Sequence, residues 1–417
     1  MTLTTEKNSF GGAAALTRRQ CLAAPAIGIL SSGPALAAAP SRLADFSHFL
    51  RSLAPLAKRA GVASAVFEEA VKGLAPDPAL LKEASRQPEF ETPIWIYLRT
   101  AAGPERTEQG RRAAAQWARP LSAIQQRSGV AGQIVLAAWG MEADFREPAQ
   151  TRDVVRSLAT LAYARPRSPQ FKTEFVDALV MIQRGLAARR QLRGSWAGAM
   201  GMPQFMPSAY LKYALAFDGH GPADIWTSVP DSLASIANFF AKSGWTRGLP
   251  WGFEAAIPAG FAWRSLRADF ATWKRLGLRR LDGAALPLEG EADLFAPAGA
   301  AGPAFLLTSN YWIIKLYNNS DSYALSLGVL SDRIAGGPGV RRPWPPGARL
   351  LSRSERIVLQ QSLAALGFYR GLNDGKIGPA TRAAVHAFQI RFGLAPADGF
   401  ASARVLARAE TEARNRR

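Results

Sequence analysis

Phe46, Phe49, Leu50 and Leu53 fall at i, i+3, i+4 and i+7, which predicts an amphipathic helix. The same Ala-, Leu- and Arg-rich helical spacing runs from residue 40 to about 127. Gly129 to Phe145 is apolar on every face and predicts a buried helix. Arg152 to Gln191 holds two more helical patterns, and Ser232 to Lys242 another. Between them, Gly194 to Pro207 is too rich in Gly and Pro for one regular element; it reads as a loop leading into a helix at Pro207-Ser-Ala-Tyr210. From 248 to 316 short apolar runs alternate with Pro and Gly, and Phe305-Leu-Leu-Thr-Ser-Asn-Tyr-Trp-Ile-Ile-Lys315 predicts strand. Tyr323 to Arg333 returns to helix.

Gly336 to Gly347, with Gly and Pro at most positions, cannot be helical and reads as a semi-rigid linker. Beyond it, Ser354 to about Glu410 is a small helical unit. Asp374-Gly375 marks a tight turn there, and Gly378-Pro379 with Thr381 opens a helix through Ala384, Val385, Phe388 and Gln389. No internal repeat stands out. The expected chain is mainly α with a small β-containing insertion: a large domain over 40–335, a linker over 336–352 and a small domain over 353–410. Its length suits two domains at the usual ~100 to 200 residues each.

The first 39 residues read as an export signal. Arg18-Arg19 ends a charged stretch, Ala23 to Leu36 is small and apolar, and Ala35-Leu-Ala37 or Ala37-Ala-Ala39 offers a cleavage site. The arginine pair favours the twin-arginine route, and the expected location is the periplasm. Cys21 is the one cysteine, so cleavage leaves a chain without thiols or disulfides. No later run reaches the ~18 to 20 apolar residues of a membrane span. The net charge is +19, about +17 without the signal. Nucleic acid, an anionic membrane or an acidic polymer could each answer such a charge, and an exported protein would most naturally meet an anionic cell-wall polymer. No Cys/His finger spacing or aromatic RNA-binding pattern points to nucleic acid.

Glu142 closes the apolar stretch Gly132-Gln-Ile-Val-Leu-Ala-Ala-Trp-Gly-Met-Glu142. Burial raises a carboxyl pKa, and a carboxylic acid protonated near neutral pH is what a general acid needs. Asp144, two residues on, faces elsewhere on a helix and reads as structural. Gly194-Ser-Trp-Ala-Gly-Ala-Met-Gly-Met-Pro-Gln-Phe-Met-Pro-Ser208 and Tyr317-Asn-Asn-Ser-Asp-Ser-Tyr323 are dense in small, aromatic and amide residues, a composition suited to sugar binding.

In this order, Trp139-Gly-Met-Glu142, Gly194 to Gly201, Gln204-Phe-Met-Pro-Ser208 and Tyr317 to Tyr323 resemble the lytic murein transglycosylase B family, from about Pro88-Glu-Phe90 to Arg333. The segment Leu359-Gln-Gln-Ser-Leu-Ala-Ala-Leu-Gly-Phe368, Asn373 to Thr381 and Ala387-Phe-Gln389 resembles a peptidoglycan-binding domain. The resemblance implies a lysozyme-like catalytic domain that cleaves the β-1,4 bond between N-acetylmuramic acid and N-acetylglucosamine without water, leaving a 1,6-anhydromuramoyl end. It implies Glu142 as the one catalytic carboxylate, and Ser195, Gln204, Tyr317, Asn318 and Tyr323 in the glycan groove. Arg167 matches one of the family's paired arginines, within the divergent Ala164-Arg-Pro-Arg-Ser168. Ser195 as a cap and Tyr323 as core are the plain readings of those two.

Some members bind calcium in a loop here written Phe217-Asp-Gly-His-Gly-Pro-Ala-Asp-Ile-Trp226. With His220 in place of an acidic ligand, Ala216 at the first position and Thr227 at the last, no metal is expected, nor any other cofactor. The expected partner is the peptidoglycan glycan strand, with wall-remodelling proteins as further candidates. The small domain is expected to act as a tether that raises enzyme concentration on the insoluble wall. A hydrolytic muramidase on the same scaffold and a non-catalytic wall-binding protein are the competing readings; an intact Glu142 in its motif speaks against the second.

Overall fold

The computed structural model describes residues 39–80, 92–149, 151–166, 168–347 and 349–416. The signal expected at 1–39, save its last residue, lies outside them, as do Pro88-Glu-Phe90 and Arg167. Among the described residues no helix is long and apolar enough to cross a membrane.

The centre of the large lobe is the helix Gly132–Ala143, buried at every residue except Gln133. A helix apolar all round has no face for water, so other helices must surround it. Helices Pro104–Gln116, Ala118–Ser128, Val229–Lys242 and Asp321–Ile334 do so. The helix stops because Asp144 and Phe145 both take left-handed backbone, with φ of 45° and 55°. Phe145 thereby folds its ring back edge-on to Trp139, with centroids 5.7 Å apart. The ring lies where a Cβ on residue 140 would be, so only glycine fits there.

Two short strands, β1 (Arg152–Asp153) and β2 (Arg193–Gly194), pair antiparallel and anchor the start of the Gly194 loop. Five more strands form the insertion: β3 (Gly252–Ala256), β4 (Arg267–Asp269), β5 (Arg279–Arg280), β6 (Glu291–Phe295) and β7 (Ala304–Leu307). They make one antiparallel sheet in the order β4-β6-β7-β3-β5, with a core of its own that includes Phe253, Trp263, Phe270, Trp273 and Leu294.

The run Phe305–Lys315 is strand only to Leu307; Ser309–Tyr317 is helix. Thr308 makes the break. Its side chain accepts from Asn310 N and donates to Pro250 O, which caps the helix and ties it to the sheet.

The linker is irregular, but it is fastened to the large lobe. Arg341 N and Arg342 N donate to the Glu254 carboxylate at 2.6 and 2.8 Å, and Trp344 packs on Trp95 at 5.8 Å. Three helices, Arg353–Ala365, Pro379–Arg391 and Ala403–Asn415, close around Leu359, Leu363, Val385, Phe388 and Val405.

This small domain does hold a repeat. Gln360 accepts from Gly375 N at 2.7 Å and donates to Lys376 O; Gln389 accepts from Gly399 N at 2.8 Å and donates to Pro396 O. Each buried glutamine thus clamps an Asp-Gly turn, Asp374-Gly375 in one case and Asp398-Gly399 in the other. Unequal spacing, fourteen residues from Gln to Asp in one copy and nine in the other, hides the likeness in the sequence.

Candidate active site

Glu142 occupies the last turn of the central helix and is 7% exposed. Its Oε1 accepts a 2.7 Å hydrogen bond from the hydroxyl of Tyr323, itself buried in the first turn of Asp321–Ile334. Burial, and then the Glu142 charge, push the Tyr323 phenol well above its ordinary value; the same two causes act on Tyr317. Both phenols therefore keep their protons and remain able to donate. Tyr317 donates to Pro203 O at 2.6 Å, and its ring stacks on Tyr323 with centroids 6.5 Å apart and 11° between planes.

Pro203 leads to the third segment. The bridges Gly194–Met200 and Met200–Phe205 fold the loop back on itself. Ser195 Oγ accepts from Ala199 N at 3.1 Å and so closes a turn; the side chain is half-buried. Gln204 sits at φ 55°, a left-handed conformation uncommon for a residue with a Cβ. Its amide donates to Gly201 O at 2.7 Å. The loop then enters the helix Pro207–Tyr213, whose first turn is held by Glu174: that buried carboxylate accepts from Ser208 N at 3.0 Å and from Ser208 Oγ at 2.7 Å. Asn318, also buried, follows Tyr317 directly, and its carbonyl accepts from Ser320 N.

One connected path therefore runs from Glu142 through Tyr323, Tyr317 and Pro203 to Gln204 and the Ser195 turn. Arg167 is outside the described residues. Asp144 points into ion pairs with Arg106 and Arg146, so it is occupied structurally. Chemically, the arrangement presents a buried carboxyl held by a phenol that stays protonated, beside stacked aromatic rings and a polar loop.

Sequence reasoning missed two contributors. Glu174 is one; a glutamate inside an apolar helical run was its only signal. The other is Asp321, inside the Tyr317–Tyr323 segment. Its carboxylate is bonded by Lys315 at 2.8 Å, by the Tyr311 hydroxyl at 2.8 Å and by Arg382 at 2.7 Å. Burial alone would raise this acid, yet Arg382 and Lys315 hold it down to about 2.

In the loop 217–227 the carboxylates are turned to the backbone. Asp224 accepts from Trp226 N and Thr227 N, and Asp231 from Phe217 N and Asp224 N. Among the described residues no group of three or more His, Cys, Asp or Glu is placed to hold a metal.

The model of the transglycosylase SLT domain matches residues 45–332, and that of a putative peptidoglycan binding domain matches 352–408. Membrane-bound lytic murein transglycosylase B of Escherichia coli (strain K12) is 29% identical over 250 residues, 58% of this chain and 67% of that protein. Among solved structures, SltB3 of Pseudomonas aeruginosa in complex with NAG-anhNAM-pentapeptide superposes with a TM-score of 0.79 at 41% identity, covering 88% of this chain and 99% of that one. SltB1 of the same organism gives a TM-score of 0.60 at 25% identity, over 72% of this chain and 98% of that one.

Proposed function

Because the chain belongs to the transglycosylase SLT family and is a peptidoglycan lytic transglycosylase, we propose that Glu142 acts first as its acid and then as its base. The helical lobe has the family's lysozyme-like fold, and the C-terminal unit is a peptidoglycan-binding domain. In the first step the Glu142 carboxyl gives its proton to the oxygen linking N-acetylmuramic acid to N-acetylglucosamine. The C1–O bond breaks and the 4-hydroxyl of the glucosamine departs. In the second step the muramoyl 6-hydroxyl attacks C1, and its proton passes to the Glu142 carboxylate. No water is consumed and the acid is restored.

Glycosidases that use water generally need a second carboxyl group. Here the nucleophile belongs to the substrate, and intramolecular attack has a large proximity advantage. The observation that carries this reading is the buried Glu142 carboxyl bonded to Tyr323, with the neighbouring Asp144 engaged by arginines. The half-buried face made by Tyr317, Gln204 and Ser195 supports a glycan groove along the same path. SltB3 bound to a NAG-anhNAM-pentapeptide supports the anhydro product. The reading needs no cofactor, and the basic, signal-like N-terminus supports export to the periplasm.

Digestion of purified sacculi tests it. Mass spectrometry should find disaccharide-peptides one water lighter than hydrolysis products, and Glu142→Gln should abolish them, a loss beyond the ~10² to 10⁴ typical of general acid–base catalysis. Products carrying the extra water would identify a hydrolytic muramidase instead.

A further inference from the structure

The peptidoglycan-binding domain is seated on the catalytic lobe at three places. His386 Nε2 lies 2.8 Å from Trp263 O. Ala300 N donates to the Asp398 carboxylate at 2.9 Å, from the loop between β6 and β7. Arg382 reaches furthest: its guanidinium lies 4.6 Å from the Phe295 ring centroid and donates to Asp321 Oδ2 at 2.7 Å. All three charged groups of this cluster are nearly enclosed, with side-chain exposures of 15% for Arg382, 16% for Asp321 and 10% for Lys315.

Asp321 is a junction between the two tyrosine-bearing helices. It is the first residue of Asp321–Ile334, two positions before Tyr323, and Tyr323 holds Glu142. Lys315, its other cationic partner, lies in the last turn of Ser309–Tyr317, two positions before Tyr317. An enclosed ion pair is short and directional, and removing one partner leaves the other charge poorly compensated. A shift of Asp321 therefore passes by two residues of backbone to Tyr323, which holds the reacting carboxyl, and through the Lys315 side chain to Tyr317, whose ring stacks on Tyr323.

We infer that Arg382 is a positioning residue for the cleavage reaction: by holding Asp321 it sets Tyr323, and through Tyr323 the Glu142 carboxyl, so that the wall-binding domain completes the catalytic site as well as anchoring it. The inference rests on the reading of Glu142 given above. It differs from tethering in one respect. A tether acts only on substrate that the domain can grip, whereas positioning acts on every substrate.

The test uses the full chain and a soluble, peptide-free glycan oligomer, which gives a tether no wall to hold. Arg382→Ala should lower kcat by roughly tenfold or more, since misplacement of reacting groups by about an ångström is costly, while KM changes less than about twofold. Arg382→Lys, which restores a cation to Asp321, should recover most of the loss. Arg382→Gln, which keeps a donor and much of the packing on Phe295, guards against a fold that fails to form and should show the same split between kcat and KM. A wild-type kcat in the alanine or glutamine variant overturns the inference, and so does a loss carried by KM alone. Because wild-type products are read in the same assay, failure of the Glu142 mechanism would be seen separately, as products that contain a water.

Discussion

Tyr323 is a core residue that also touches the proposed acid: it is 1% exposed while its hydroxyl meets the Glu142 carboxyl. Deleting that hydroxyl separates the two roles. Tyr323→Phe keeps the ring and removes a buried hydrogen bond to an ionisable group, so stability should drop by about 1.5–3 kcal/mol, and kcat, measured where the variant is fully folded, should fall roughly tenfold or more. An unchanged kcat would make Tyr323 core only. Gly140 tests the other side of the same helix. A methyl there meets the Phe145 ring, which must shift off Trp139 to make room. Gly140→Ala should therefore lose about 1–3 kcal/mol in urea denaturation, despite alanine's better helix propensity. At this scale the sequence was informative. Glu142 stood out because a carboxylate after ten uncharged residues is unusual in itself, whereas Tyr317 and Tyr323 were singled out by the family resemblance of their segment. Their hydrogen bonds were not legible, since Glu142 and Tyr323 are 181 residues apart.

Elements were legible where an apolar run was long enough to settle its type, as in Gly132–Ala143 within the expected 129–145, and ambiguous where it was not. The apolar run Phe305–Lys315 predicts strand, but a short apolar run can equally be buried helix; the side chain of Thr308 decides by capping the second half, and Thr-Ser-Asn was the signal that could have shown it. Glu174 was invisible for a different reason: its role depends on Ser208, brought to it by tertiary packing. Glu174→Ala should leave Ser208 N without its partner in a half-buried place and cost about 1–3 kcal/mol. Because the same helix follows Gln204, KM for glycan should rise more than kcat falls, as steady-state kinetics would show. The loop at 217–227 gives the opposite expectation. Asp224 and Asp231 already spend their oxygens on backbone amides, so chelator should shift the melting temperature by less than about 1 °C. A calcium-dependent rise of several degrees, seen by calorimetry, would show that the loop rearranges to take metal.

At the scale of the whole molecule, composition and turn signals separated two folded units and a Pro/Gly connector, but nothing in them joined Arg382 to Asp321. That pair carries a pH signature. Asp321 is held at about 2 against an ordinary 3.8, so its contribution is full above about 3.8 and is lost as pH falls towards 2. Asp321→Asn should cost about 2 kcal/mol at pH 6 and nearly nothing at pH 2, measured by denaturant melts at each pH. Truncation after Pro338 asks the larger question. It removes Arg382, the Trp344–Trp95 contact and both amides that Glu254 accepts from. A domain on a free tether would leave soluble-oligomer cleavage and the melting temperature of the large lobe as they were. The docked arrangement gives a different result: a melting temperature lower by several degrees, and a fall in kcat on oligomers comparable to that of Arg382→Ala. Activity on sacculi should fall further still, because the polymer contact is lost as well. The point variant keeps that contact, so the further loss on sacculi, set against the further loss on oligomers, isolates the tethering part. Truncated enzyme that cuts oligomers at the wild-type rate would return the C-terminal domain to a tether and leave the Arg382–Asp321 pair as packing between neighbours.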